Sequence, residues 1–184
     1  MRSLLAPLAL VLAFPALPAA AQVRSQADLD CVTRETSPDY RARLAATITS
    51  DDEKVFDETA PQFYAAANLC AEQLGLKGKQ AEAYFEYAIS RISVEHFGKV
   101  MRDAAVPVEV IDTFFGFGPG KTNPIIDKIE DGRIEKLIEA LMAKGVKAEA
   151  FTDAVTASIG GYAATMGRVY AYQAQVQAYQ AQVK

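Results

Sequence analysis

Histidine occurs once in this chain, cysteine twice, and nowhere do four or more basic residues cluster. Each scarcity closes off a class of function. A single imidazole, His96, cannot complete a metal centre with two thiolates, and no serine, cysteine or paired carboxylate is placed to work with it. It therefore reads as a packed or surface residue. Without a basic cluster there is no footprint for nucleic acid or for an anionic membrane surface. The overall balance points the same way, with 23 acidic side chains against 19 basic ones. Beyond residue 21 no apolar run approaches the roughly 20 residues of a transmembrane helix, and no segment keeps up the period-two alternation of a half-buried strand. No cofactor, no nucleic acid and no membrane span in the mature chain are expected.

The first 21 residues are of a different kind. Arg2 precedes an apolar core from Leu4 to Phe14, then the breaker-rich "PALP", then Ala19-Ala20-Ala21. This is the pattern of a cleaved bacterial export signal, with the cut before Gln22 and no cysteine at that position to carry a lipid. The expectation is a periplasmic protein: a signal peptide over residues 1–21 and a single helical domain over 22–184. In an oxidising compartment the two cysteines, Cys31 and Cys70, are expected to form one structural disulfide, because their spacing is far from a redox C-x-x-C pair.

Nearly every segment carries the 3.6-residue period. Ser25 with Asp28 has capping-box spacing and predicts a helix over about 26–36. Ser37-Pro38 opens a second, to about Thr49. Ser50 with Glu53 predicts one or two turns before Ala60, and Pro61 opens a separate helix that stops at Gly75. Between Gly78 and Val106, Ala81, Tyr84, Phe85, Ala88, Ile89 and Ile92 mark a core-facing helix of about seven turns, with Lys79, Glu82, Glu86 and Arg91 opposite. Pro107 starts a short helix that ends in "FGFGPGKT".

That stretch looks like a phosphate-binding loop but lacks its geometry. G-x-x-x-x-G-K-[ST] requires glycine at the place held by Phe115, and G-x-G-x-x-G requires it at Lys121. It reads as a turn, with Asn123 capping a helix that begins at Pro124, runs to about Gly145 and is interrupted at Gly132. Asp127, Asp131 and Gly132 match part of a calcium loop, but Ile129 and Ile138 stand where oxygen ligands are needed. Three phenylalanines border the turn. Phe114 is expected on the core face with Val110 and Ile111, and Phe117 is expected to fold back over the glycines. Alternatively Phe114 or Phe117 stays exposed and anchors a partner or a greasy ligand.

A further helix is expected over about 148–159, followed by a break at Gly160-Gly161. The last segment repeats "YQAQV" at seven residues, and Tyr162, Thr165, Val169, Tyr172, Val176, Tyr179 and Val183 fall at the alternating three-four spacing of a coiled-coil seam. Either this helix packs on its own domain or it protrudes over 162–184 to join a second copy or another envelope protein.

The fold class is all-α, an irregular bundle of seven to eight helices with one disulfide and a C-terminal Tyr/Val helix. The leading functional expectation is a non-enzymatic envelope protein acting by protein–protein interaction or self-association, with Phe114, Phe117, Tyr172, Val176, Tyr179 and Val183 as candidate contacts. A small apolar-ligand or lipid binder is the alternative, since helices lined by Ile, Leu, Phe and Met can enclose a cavity. A carboxylate hydrolase using Glu82 and Glu86 is a distant third, because that spacing is common on exposed helix faces.

Overall fold

A computed structural model describes residues 25–50 and 53–178. The capping box forms as the sequence requires: Ser25 accepts from the Asp28 amide while the Asp28 carboxylate accepts from the Ser25 amide. The expected first helix is divided at Asp30 into α1 (Gln26–Leu29) and α2 (Cys31–Glu35). Cys31 is bonded to Cys70, with their Cα atoms 5.8 Å apart, so α2 is fastened to the fourth helix. Arg41, in α3 (Pro38–Ser50), completes the attachment. It donates to the Thr33 and Thr36 carbonyls, which α2 leaves open at its end, and makes a two-pronged pair with Glu95 at 2.8 and 3.0 Å.

Pro61 does not open a helix. It lies inside α4 (Glu53–Gln73) and is exposed. Proline removes one backbone bond, yet Phe56, Ala60, Phe63, Ala67 and Cys70 form an apolar stripe that runs straight past it into the core. Packing of that stripe outweighs the local defect. Tyr40 also donates its hydroxyl to the Thr59 carbonyl at 2.8 Å, beside the proline.

The expected long helix is α5 (Lys79–Asp103), and it is the central element. Its buried set is wider than the predicted stripe. Tyr87, Ser90 and Val94 are buried with Tyr84, Ala88 and Ile92, because α2, α3 and α4 cover one side and the last helix covers another.

That last helix, α8 (Asp153–Ala178), follows a single 3₁₀ turn at Ala148–Ala150 and passes unbroken through Gly160-Gly161. The glycines serve packing here. A Cβ on Gly161 would stand 2.4 Å from the Phe97 ring, and one on Gly167 would stand 2.1 Å from the Pro124 carbonyl oxygen. Gly161 lies beside Phe97, and twelve residues on, Gln173 reaches Gln26, itself bonded to Tyr87. The helix therefore runs antiparallel to α5.

Between them, α6 (Val108–Phe115) ends at Gly116 in the left-handed conformation, with φ of 76°. Phe117 donates its amide to the Asp112 carbonyl at 2.8 Å, closing the end of the helix. The helix expected from Pro124 begins only at Asp131, as α7 (Asp131–Ala143). Asn123 accounts for the delay. Its φ is 46°, outside the extended range of a helix cap, and its side chain is engaged elsewhere, accepting from the Gly118 amide and donating to the Gly118 and Lys121 carbonyls. Gly132 then falls in the first turn of α7, where it interrupts nothing. The described residues thus form eight α-helices and no strand, joined by one disulfide around one core.

Candidate functional site

The Tyr/Val seam faces inward. Tyr162, Val169 and Val176 are buried, and Thr165 and Tyr172 are half-buried. As far as Val176 the helix packs on its own chain and does not protrude; Tyr179 and Val183 lie outside the described residues. Among the phenylalanines it is Phe115, with Ile111, that enters the core, since residues four apart share a helix face. Phe114 is left half-buried, edge-on to Phe115 at 5.1 Å. Phe117 is buried as expected, 5.8 Å from Phe115, having folded back over Gly116. The Arg133 guanidinium covers this aromatic group, 4.7 Å from the Phe115 centroid and 5.9 Å from that of Phe114. Phe117 is thus buried, and Phe114 is half-buried beside Arg133.

Two concave regions stand out among the described residues. The first brings together the two segments most unusual in sequence. The glycine loop rests its backbone on α8 at Gly167, and one turn further along the helix a groove of about 430 Å³ opens between them. Pro119, Thr122 and Asn123 form one wall, and Tyr170, Gln173 and Gln177 the other. Its polar groups are a hydroxyl and carboxamides, which both donate and accept, together with the Tyr170 phenol, held neutral by a pKa that burial and then Asp112 raise. Such a lining can hydrogen-bond an uncharged chain. It offers no acid–base pair.

The second region lies along the C-terminal half of α5, where two cavities meet. One, of about 360 Å³, is walled by Pro38, Arg41 and Ala42 of α3 and by Ile92, His96 and Lys99 of α5. The other, of about 290 Å³, is lined by Thr33, Arg91, Val94, Val108, Tyr162 and Met166. Glu95 and Arg102 line both. Burial, and then Lys99, lower the pKa of His96, so the ring stays neutral at neutral pH. Arg91 was legible as a charge opposite the core face, but its convergence with Glu95 and Arg102 was not. It depends on which elements flank α5 there.

Next to this region runs a polar seam. Tyr87 donates to Asp30 at 3.0 Å, Gln26 bonds both, and Tyr162 donates to Asp112 at 2.9 Å. Burial raises the pKa of Tyr87 and Tyr162, with Asp30 and Asp112 respectively adding to the effect, and burial pushes Tyr84 up to about 12. These phenols stay protonated and serve as fixed donors.

No protein-family model, curated protein or solved structure matches the chain.

Proposed function

We propose that this is an exported helical protein of the bacterial periplasm that binds a protein partner, or a further copy of itself, through the groove between the glycine loop and α8. The observation that carries the reading is the lining of that groove. Thr122, Gln173 and Gln177 present neutral donors and acceptors beside glycine, proline and alanine, which let another backbone approach closely. The export pattern over residues 1–21 and a disulfide of the kind stable outside the cytoplasm support the compartment.

A photo-crosslinking residue in place of Gln177 tests the interaction in living cells, with one in place of exposed Lys136 on α7 as control. A discrete crosslinked species with Gln177 and none with Lys136 is expected; light scattering on purified protein then identifies a second copy. Equal crosslinking from both positions would remove the groove from consideration. Intact mass of the periplasmic protein tests export, with Gln22 expected at its start; the full-length mass there would overturn it.

A further inference from the structure

Arg91 and Arg102 both line the cavity of about 290 Å³ beside α5, and neither donates a hydrogen bond among the described residues. For Arg91 the deficit is pronounced. Its Nε is buried without a hydrogen-bond partner, and its nearest carboxylate, Asp30, stands 3.5 Å away and is already taken up by Tyr87 and Gln26. A buried donor left unsatisfied is unfavourable and is uncommon in folded chains. Arg102 forms no ion pair among the described residues. Its guanidinium lies back along the helix, with one terminal nitrogen 3.0 Å from where a Gly98 Cβ would be, so glycine at that place lets the charge rest against the helix surface.

The acidic group of the cavity, Glu95, does not neutralise these arginines, because both its oxygens are bonded to Arg41. Of the remaining wall, Val94, Val108 and Met166 are aliphatic, and the Thr33 and Tyr162 hydroxyls already donate, to the Asp30 carbonyl and to Asp112. Arg102, and Arg91 with no charge partner among the described residues but the 3.5 Å pair to Asp30, stand next to aliphatic side chains in a space of this size, and match a small molecule that is anionic at one end and apolar at the other.

From this juxtaposition we infer that the furrow binds a small monoanionic amphiphile, a carboxylate with a medium-length apolar tail, its headgroup on Arg91 and Arg102 together and its tail on Val94, Val108 and Met166. The second cavity, sharing Arg102 and floored by buried Ile92, gives longer tails room to extend. This site is separate from the groove beside the glycine loop and does not depend on it.

Calorimetric titration of the mature protein with octanoate, 1-octanol and octyltrimethylammonium tests the inference directly. Octanoate is expected to bind one-to-one, at least about tenfold more tightly than octanol, and the cation not at all. Arg102→Gln, at an exposed position free of bonds, is expected to weaken octanoate about fivefold or more, with Lys136→Gln on α7 unchanged. In protein with ¹³C-labelled methionine methyls, octanoate is expected to shift Met166 and leave exposed Met142 in place. No octanoate binding up to about 10 mM, equal affinity for octanol, or full affinity in Arg102→Gln would each overturn the assignment. A shift at Met142 alone would do the same.

Discussion

Tyr162 of α8 donates its hydroxyl to the Asp112 carboxylate of α6 at 2.9 Å, joining the last helix to the short one that precedes the glycine turn. Burial holds the Asp112 pKa above its ordinary value, and the Tyr162 bond opposes that shift. A carboxyl whose folded-state pKa is raised favours the fold when protonated. Its contribution is complete below the ordinary aspartate pKa and is lost as pH rises through the raised one. Tyr162→Phe removes the opposing bond, so the loss extends to higher pH, and a partly buried carboxylate is left without its donor at about 1–2 kcal/mol. Urea unfolding is expected to show a larger deficit for the variant near pH 7 than near pH 4. An equal deficit at both would exclude the coupling.

The glycines of α8 give an experiment in which helix propensity and packing oppose each other. Alanine favours a helix over glycine by about 1 kcal/mol. Gly160 has nothing within 4 Å of its would-be Cβ, so Gly160→Ala is expected to raise the thermal midpoint. Gly161→Ala would meet the Phe97 ring and Gly167→Ala the Pro124 carbonyl, and both are expected to lower stability by about 1–3 kcal/mol despite better propensity. If all three variants were stabilised, the close approach of α8 to its neighbours would be wrong.

Removal of the disulfide by Cys31→Ala with Cys70→Ala opens a loop defined by a sequence separation of 39. Chain entropy gives a loss of about 3–4 kcal/mol, on the order of 10 °C in the melting midpoint for a domain of this size. Scanning calorimetry of the variant and of reduced wild type is expected to give the same lowered midpoint. Two titratable thiols in denatured, unreduced wild type would contradict the bond.

The three phenylalanines around the turn should differ in order. Phe115→Ala and Phe117→Ala empty buried sites and are expected to lose about 3 kcal/mol or more, whereas half-buried Phe114→Ala should lose about 1. Equilibrium urea titrations measure all three. A Phe114 loss matching that of Phe115 would put the wrong ring in the core.

The elements whose signals are local were readable in the sequence. Ser25 with Asp28, the period of α5 and the Gly116 stop each act within a turn or two of themselves, and each stands where the pattern puts it. The misread positions are those at which a distant neighbour decides. Pro61 is carried through α4 by packing from residues on both sides, and Gly160-Gly161 is carried through α8 by the surface of Phe97. Asn123 is drawn from helix capping by Gly118. The candidate site belongs to the second kind. Arg91 and Arg102 carry no mark in sequence, because what distinguishes them is the lack of a bond, which only the folded arrangement reveals.

The antiparallel pairing of α5 with α8 also orders events in time. A chain is made from its N-terminus, and Cys31 and Cys70 are both available before α5 is complete. The α5 surface that receives α8, by contrast, must wait for residues 153–178, which follow it in the chain. The Gln26–Gln173 bond, between residues 147 apart, waits for the same segment. In a chain made from its N-terminus, the α5 face that α8 covers in the folded protein therefore stays uncovered until that segment has been made.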